Sequence, residues 1–174
     1  MTNLLLWNAR GISNKRAEIE QHINNFDVSI ITETKISCNK DIYFSGYKVV
    51  KSLNRENSGG IAIIIKKDID FDTIEPWILK SNNIEAIGIR VKNTSIKFNL
   101  IAVYRKPYDI EPKSAWDDIL KFRGHEANSI IAGDFNAYHS GWNCSNIDRN
   151  DYQQNEDSWE SDHYPIKINI DIYT

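Results

Sequence analysis

Asp134 and Asn136 are the pair of side chains with the clearest potential for chemistry in this sequence. They follow the apolar stretch 130–133, which predicts a short buried strand that ends at a glycine. Residues two apart in an extended segment point to the same side, so the acid and the amide would lie together. Such a pair can hold and orient a water molecule or a metal-bound oxygen. The sequence therefore predicts a site at the end of this strand.

Other polar residues also lie at or just beyond the ends of predicted strands. They are Asn8, Glu33, Tyr104, Asp162 and His163. Functional side chains collect where a rigid sheet continues into loops. Taken singly, each has a plainer interpretation as a turn former, a loop cap or a core aromatic. The combination of Glu33 with Asp134, Asn136 and His163 fits metal-assisted phosphodiester hydrolysis, in which Mg²⁺ polarises the scissile phosphate.

The late acid, amide and histidine each have a distinct place in such chemistry. Asp134 would orient the attacking water or take its proton. Asn136 would hold that water or a phosphate oxygen by hydrogen bonding. His163 would stabilise the negative charge of the transition state, as preorganised donors do.

The composition is that of a globular protein with one domain over residues 1–174. Of its 174 residues, 41% are hydrophobic and 26% are charged. No apolar run approaches the ~20 residues that span a bilayer, so we expect no membrane association. Two cysteines, Cys38 and Cys144, make neither a disulfide framework nor a zinc finger, which favours an intracellular location. The net charge of −3 leaves any nucleic-acid binding to local basic patches.

Apolar periodicity predicts many strands with two interspersed helices. The predicted strands are 3–8, 28–32, 47–51, 61–65, 84–91, 96–104, 128–132 and 166–172. The predicted helices are 14–25, with Ser13 as N-cap, and 112–122. The polar stretch 143–159 lacks periodicity and is expected to form a loop. This order predicts a layered α/β domain with packed sheets.

Six short motifs, in this order, resemble those of the endonuclease/exonuclease/phosphatase superfamily. They are WNARG at 7–11, TET at 32–34, SGGIA at 58–62, VYRKP at 103–107, GDFNA at 133–137 and SDHYP at 161–165. Within the superfamily, the chain resembles the apurinic-endonuclease-like domain encoded by non-LTR retrotransposons of the insect R1, jockey and TRAS type. The resemblance implies a four-layered α/β sandwich, in which two packed mixed β-sheets are flanked by helices. It also implies a Mg²⁺-dependent endonuclease that nicks DNA and leaves a 3′-hydroxyl for priming.

The resemblance implies a role for each matching residue. Glu33 would bind Mg²⁺, or Mn²⁺ in its place, with Asn8 beside it. Tyr104 would contact or position the phosphate, and Asp134 and Asn136 would handle the nucleophilic water. Asp162 would support the metal site, and His163 would contact the scissile phosphate. The expected contacts with DNA are Arg10, Arg105, Lys106 and His139.

The same resemblance names the partners. The expected substrate is a double-stranded DNA target. A reverse transcriptase domain in a parent polyprotein would extend the nicked end. Because the target is chromosomal DNA, we expect a nuclear location and no membrane partner.

One stretch departs from the family's pattern. Between Asn136 and Ser161, the family inserts a helix, further strands and a Ser-x-Ile-Asp-type element whose Asp orients the catalytic histidine. This chain is too short there to hold them, so some strands are expected to be missing. A histidine without its carboxylate partner loses the group that fixes its tautomer and orientation.

Three interpretations therefore stay open. The first is an active Mg²⁺-dependent endonuclease. The second is a catalytically impaired or inactive fragment of a retroelement that at most binds nucleic acid. The third is an exonuclease or phosphoesterase of the same superfamily, although the YRKP and GDFNA contexts favour the retrotransposon branch.

Overall fold

Strands make up most of the described fold. The computed structural model describes residues 2–37, 39–53, 59–74, 82–92, 97–107, 113–121, 128–136 and 166–170. The elements in these ranges are β1 (Thr2–Asn8), α1 (Ile12–Ile23), β2 (Val28–Thr32), β3 (Tyr47–Lys51), β4 (Ile61–Lys66), β5 (Phe71–Ile74), β6 (Ile84–Val91), β7 (Phe98–Arg105), α2 (Lys113–Lys121), β8 (Ser129–Asp134) and β9 (Ile166–Ile170). Neither helix is long and apolar enough to cross a membrane.

The strands form two mixed sheets. Sheet A has five strands in the order β3-β4-β2-β1-β9, and sheet B has four in the order β5-β6-β7-β8. Each sheet has one parallel pair, β1 with β2 and β7 with β8, and its other pairs are antiparallel. Since parallel strands run in the same direction, the carboxyl ends of β1 and β2 lie side by side, as do those of β7 and β8.

The apolar core confirms the predicted four-layered α/β sandwich. The inner faces of the two sheets pack together through residues such as Ile30 and Ile63 of sheet A and Leu100 of sheet B, all fully buried. Helix α1 covers the outer face of sheet A, with Ile19 in contact with its core. Helix α2 covers the outer face of sheet B through Ile119 and its neighbours. Strands β2 and β4 are covered on both faces, which explains their continuous apolar runs.

The start of α1 differs from its prediction. The helix begins at Ile12, with Gly11 as its cap at φ 126°, so Ser13 as N-cap was wrong. No side chain caps this end. Instead, the backbone N–H of Ile12 donates to the carbonyl of Thr34, 3.0 Å away. The turn after β2 therefore supplies the bond that a cap would provide.

Strand β5 was not predicted. It has four residues, and its central Asp72 and Thr73 are exposed. It lies at the edge of sheet B and pairs with β6. So short an edge strand has no apolar alternation to mark it in the sequence.

An ion pair holds the amino end of β2 to β4. Asp27 Oδ1 lies 2.8 Å from Lys66 Nζ, and Asp27 Oδ2 accepts from the backbone N–H of Asn3 at 2.8 Å. Burial by itself would raise the pKa of Asp27. The hydrogen bonds from Lys66 and Asn3 outweigh burial and hold the pKa below its ordinary value of 3.8. The pair therefore stabilises the fold in a pH-dependent way.

We expect Asp27→Asn to lower the free energy of unfolding at neutral pH by about 1 kcal/mol, allowing for partial exposure of both side chains. The folded-state pKa lies below the unfolded-state pKa, so this contribution is present above about pH 4 and is lost as pH falls through the folded-state pKa. Urea unfolding at a series of pH values measures the difference. The exposed Asp72→Asn serves as control. A deficit that stays constant down to the lowest pH would contradict the assignment.

Candidate active site

The carboxyl ends of the two parallel strand pairs meet at one edge of the sandwich. Asn8 ends β1 and is paired with Thr32, directly before Glu33. Tyr104 on β7 is paired with Asp134 at the end of β8. Because the inner faces of the sheets pack together, these polar residues from both sheets converge. Four of the predicted site residues thus come together although the chain separates them widely.

Asn8 joins the carboxylates of both sheets. Its Nδ2 donates to Glu33 Oε1 at 2.9 Å and to Asp134 Oδ2 at 2.7 Å. The residue is 5% exposed, so these bonds are shielded from water. An amide nitrogen carries two hydrogens, and here each one has its own carboxylate. Asn8 therefore keeps two negative groups close together that would otherwise repel each other.

The other end of the Asn8 amide faces the backbone. Its Oδ1 accepts from the N–H of Arg10 at 3.2 Å. This bond fixes which end of the amide points at the carboxylates. Asn8 as a metal ligand stays a prediction, since binding through Oδ1 would require the amide to turn over.

Backbone strain is concentrated at the site. Four non-glycine residues in the described ranges have positive φ, at 50°, 50°, 51° and 42°: Arg10, Glu33, Lys35 and Asn136. Such conformations cost about 1 kcal/mol or more each and persist where surrounding bonds impose them. The turn that carries Glu33 is held in this way, because the N–H groups of Thr34 and Lys35 donate to the carbonyls of Gly60 and Gly59.

The Asp134–Asn136 segment is clamped to the end of β7. Asp134 Oδ1 accepts from the backbone N–H of Asn136 at 3.0 Å, and Asn136 Nδ2 donates to the Arg105 carbonyl at 2.6 Å. The Arg105 side chain also bonds to this segment, since its Nη1 donates to the Asn136 carbonyl at 2.7 Å and to the Phe135 carbonyl at 3.3 Å. The Arg105 guanidinium therefore holds this loop, a role that the sequence did not indicate. Its contact with DNA stays a prediction.

Phe135 anchors the same loop from the opposite side. Its ring lies 5.9 Å from that of Trp116 on α2, centroid to centroid, and joins the core under that helix. Because neighbouring side chains in an extended segment point to opposite faces, Asp134 faces the site and Phe135 faces helix α2. The loop is fixed on both of its faces.

Gly133 is required by the close approach of β8 to β7. A Cβ at this position would overlap the backbone of Val103, its partner in the parallel ladder. A side chain here would push the two strands apart just before Asp134.

We expect Gly133→Ala to lower the free energy of unfolding by about 1–3 kcal/mol, as overpacking does. Thermal melting measures the loss. Gly46→Ala is the matched control, since a Cβ there meets nothing within 4 Å and adds only the strain of a φ of 83°. If Gly133→Ala melts at the temperature of the wild type, the close approach is not a real constraint.

Tyr104 is 4% exposed and lies among three acidic residues, Glu33, Asp134 and Glu85, which we call the acidic cluster. Burial, followed by the negative charges of Glu33, Asp134 and Glu85 and a hydrogen bond to Glu33, raises the pKa of its phenol well above the usual value. The hydroxyl is therefore protonated at neutral pH, and it donates to Glu33. Tyr104 can act as a donor toward a phosphate, but not as a base.

Glu85 belongs to this cluster and was missed in the sequence. It lies on β6, directly opposite Tyr104 on β7. The signal that could have found it is an isolated acid in the apolar strand IEAIGIRV. A charge in such a strand needs partners, but the sequence does not show where they are.

The remaining predicted residues are placed as follows. Arg10 is exposed and follows Asn8 by two residues. Lys106 directly follows β7, and its backbone N–H donates to the carbonyl of Asn83 at 2.8 Å. His139, Asp162 and His163 lie outside the described residues, as does the shortened stretch 137–160. Their roles stay predictions.

The donor set fits a hard cation such as Mg²⁺. Glu33 and Asp134 both accept a hydrogen bond from Asn8 Nδ2, so their carboxylates lie close together. Lys35 Nζ, 3.5 Å from Glu33 Oε2, balances part of their negative charge. Within the ranges described, no group of three or more His, Cys, Asp or Glu side chains is placed to hold a metal ion. Mg²⁺ in phosphate chemistry commonly takes one or two carboxylates, with waters and substrate phosphate as its other ligands. Two carboxylates from the protein are therefore enough ligands for such a magnesium ion.

Comparison with known proteins identifies the family. The sequence model of the Endonuclease/Exonuclease/phosphatase family matches residues 5–167. The chain belongs to the endonuclease/exonuclease/phosphatase family. This match runs from the middle of β1 to the start of β9 and includes Asn8, Glu33, Tyr104 and Asp134.

The similar curated proteins are retrotransposon polymerases. The chain is 24% identical over 145 residues to the probable RNA-directed DNA polymerase from transposon BS of Drosophila melanogaster. It is 27% identical over 144 residues to the RNA-directed DNA polymerase from mobile element jockey of the same species. The alignments cover 80% and 79% of this chain, but only 16% and 15% of those polymerases. The chain thus corresponds to a small part of their length.

Solved structures of the family show the same fold. The endonuclease domain of TRAS1, a telomere-specific non-LTR retrotransposon, matches with a TM-score of 0.60 at 21% identity. This match covers 81% of the chain and 63% of that domain. An AP endonuclease from Archaeoglobus fulgidus matches with a TM-score of 0.53 at 19% identity, over 77% of the chain and 57% of that enzyme. The resemblance seen in the motifs is therefore confirmed for family and fold.

Proposed function

We propose that the chain is a divalent-metal-dependent DNA endonuclease of the retrotransposon type. The observation that carries this proposal is the convergence of Glu33 and Asp134, from different sheets, on the amide nitrogen of Asn8. A pair of half-buried carboxylates beside a buried, protonated phenol is costly unless a ligand uses it. The similarity to retrotransposon polymerases favours DNA as the substrate.

Glu33 would hold Mg²⁺, with Mn²⁺ as a substitute, and Asn8 would keep Glu33 and Asp134 together. When bound, Mg²⁺ polarises the scissile phosphate and offsets charge on the leaving oxygen. Lys35 balances part of the charge on Glu33, 3.5 Å away.

Asp134 would take a proton from the attacking water, while Asn136 holds that water or a phosphate oxygen. The water oxygen bonds to phosphorus, and the bond from phosphorus to the 3′-oxygen breaks. The 3′-oxygen takes up a proton from solvent water, which leaves a 3′-hydroxyl and a 5′-phosphate. Tyr104 would donate to a phosphate oxygen in place of Glu33. Asp162 would support the metal site, and His163 would stabilise the transition state.

The proposed partners follow from the relatives. Double-stranded DNA would be the target, contacted by Arg10, Arg105, Lys106 and His139. A reverse transcriptase domain of the same polyprotein would extend the 3′-hydroxyl, and this step would take place in the nucleus.

A second candidate function is DNA binding without cleavage. It is favoured by the short stretch between Asn136 and Ser161 and by the match to only 63% of the TRAS1 domain. In that case the chain would retain DNA in a salt-sensitive manner through its basic residues.

The nature of the product distinguishes these functions. With Mg²⁺ and supercoiled plasmid, the proposal predicts nicked circles whose ends a DNA polymerase extends without prior repair. Mononucleotides released from duplex ends, or free phosphate released from terminal phosphates, would instead show an exonuclease or a phosphatase. DNA retention that salt abolishes, without any cleavage, would support the binding protein and contradict the endonuclease.

A further inference from the structure

Glu85 connects the two sheets beside the site. It is half-buried on β6 of sheet B, but both of its carboxylate oxygens accept hydrogen bonds from the loop between β3 and β4 of sheet A. Oε1 accepts from the backbone N–H of Gly60 at 3.0 Å, and Oε2 accepts from Ser52 Oγ at 2.8 Å. A carboxylate with a donor on each oxygen is fixed in its orientation.

The segment that Glu85 holds also carries the Glu33 turn. The carbonyls of Gly60 and Gly59 accept from the N–H groups of Thr34 and Lys35 at 3.1 and 2.8 Å. These two N–H groups directly follow Glu33, whose φ is 50°. The position of Glu33 thus depends on the position of the two glycines.

The same glycines pack directly on sheet B. A Cβ at Gly59 would lie 2.5 Å from Glu85 Oε1 and 2.9 Å from Cε1 of Tyr104, so the backbone approaches both side chains closely. The φ of Gly59 is 72°, which also favours glycine. The glycine segment is therefore in contact with Glu85, with Tyr104 and with the Glu33 turn.

Ser52 completes the connection on the side of sheet A. Its Oγ, which donates to Glu85, accepts from the N–H of Ile61 at 2.9 Å. Its own N–H donates to the Ile61 carbonyl at 2.9 Å. Glu85 is thus bonded at both ends of the loop that joins β3 to β4.

We infer that Glu85 is a positioning residue of the active site: it holds Gly59–Gly60 across the sandwich and thereby places Glu33 beside Tyr104 and Asp134. The inference rests on the proposed function, because it takes Glu33 as a metal ligand. Glu85 itself does not contact the substrate in this account. Its effect passes through the glycine segment to the backbone of the Glu33 turn.

Two variants of Glu85 test this inference. Glu85→Ala removes both acceptors, whereas Glu85→Gln keeps one for Gly60 and can donate to Ser52. Asp72→Ala is the matched control, since it removes an exposed carboxylate from β5 of the same sheet. Hydrogen exchange of the Thr34 and Lys35 amides is measured without metal, and Mn²⁺ binding is measured by titration calorimetry, both well below the melting temperature.

In Glu85→Ala, we expect the Thr34 and Lys35 amides to exchange about tenfold faster, as for the loss of one hydrogen bond. Mn²⁺ should bind about 10–100-fold more weakly, as when a residue that orients a metal ligand is lost. Glu85→Gln and Asp72→Ala should stay close to the wild type in both measurements. A merely stabilising role would lower the melting temperature of Glu85→Ala without changing the affinity for Mn²⁺.

Unchanged exchange and unchanged affinity in folded Glu85→Ala would overturn the inference. If that variant does not fold, Glu85→Asp shortens the side chain by one methylene and withdraws the carboxylate from both Gly60 and Ser52, and unchanged exchange of Thr34 and Lys35 in it would overturn the inference equally. A wild type that binds no Mn²⁺ contradicts the proposed function alone. The exchange of the two amides then still decides the role of Glu85.

Discussion

Asp134→Asn lowers the rate of plasmid nicking by about 10²–10⁴-fold, the range expected for loss of a group that accepts a proton in the reaction. The substitution keeps the size of the side chain and one oxygen that can accept from the Asn136 N–H, but it replaces the oxygen that accepts from Asn8 Nδ2 with an amide nitrogen. It removes the ability to take a proton from water. Single-turnover nicking in saturating Mg²⁺ measures the rate, and circular dichroism checks that the variant is folded.

The matched control for this prediction is Asp72→Asn. Asp72 lies on β5 of the same sheet, and its carboxylate pairs with the exposed Lys92. It should nick at the rate of the wild type. If Asp134→Asn nicks within a few-fold of the wild type, Asp134 does not accept the proton of the attacking water.

Asn8→Asp should have the second largest effect. It replaces the donor between two carboxylates with a third carboxylate, whose oxygen would lie 2.9 and 2.7 Å from those of Glu33 and Asp134. Like charges at this distance repel strongly in a buried site. In EDTA, we expect the free energy of unfolding of Asn8→Asp to be lower than that of the wild type by about 3 kcal/mol or more, as for an uncompensated buried charge. Mg²⁺ or Mn²⁺ should restore part of the loss by binding between the carboxylates.

Asn99→Asp is the matched control for Asn8→Asp. Asn99 is also buried, but its Oδ1 accepts from Arg90 Nε at 3.2 Å, so a carboxylate there would gain a cation. Its melting temperature should not respond to divalent metal. Equal metal responses of the two variants in thermal melts would show that the cluster around Asn8 is not the metal site.

The location of the site could be predicted from the sequence. Asn8, Glu33, Tyr104 and Asp134 each mark the end of an apolar run, and parallel strands bring such ends to one edge. That the ends of both sheets contribute to one site was implied by the resemblance of the six motifs, because residue spacing does not show how two sheets pack. The resemblance implied the four layers, and the continuous apolar runs of β2 and β4 agree with them, because a strand that is apolar on both faces must be covered twice.

The internal arrangement of the site could not be predicted in this way. Asn8 donates through its nitrogen because the Arg10 N–H occupies its oxygen, and this depends on a turn with positive φ. Arg105 bonds to the carbonyls of Phe135 and Asn136. These are bonds between side chains and backbone, and their partners are set by how loops fold back, not by residue type.

Glu85 and the start of α1 share one physical reason for being missed. Both depend on hydrogen bonds between distant parts of the chain, from the Gly60 N–H to the Glu85 carboxylate and from the Ile12 N–H to the Thr34 carbonyl. A helix whose first N–H bonds to a distant carbonyl needs no Ser13 cap. An isolated acid in the apolar strand β6 shows that it needs partners, but the sequence does not show that these partners lie beside the other sheet.

The most direct test of the account is plasmid nicking by the wild type and by Glu33→Gln in the same Mg²⁺ titration. The account predicts that the wild type converts supercoiled plasmid to nicked circles as Mg²⁺ rises, and that EDTA stops the reaction. Glu33→Gln should not nick at any Mg²⁺ concentration that saturates the wild type. Nicking that persists in EDTA, or that Glu33→Gln retains at the wild-type rate, would contradict a metal-dependent nuclease site built on Asn8, Glu33 and Asp134.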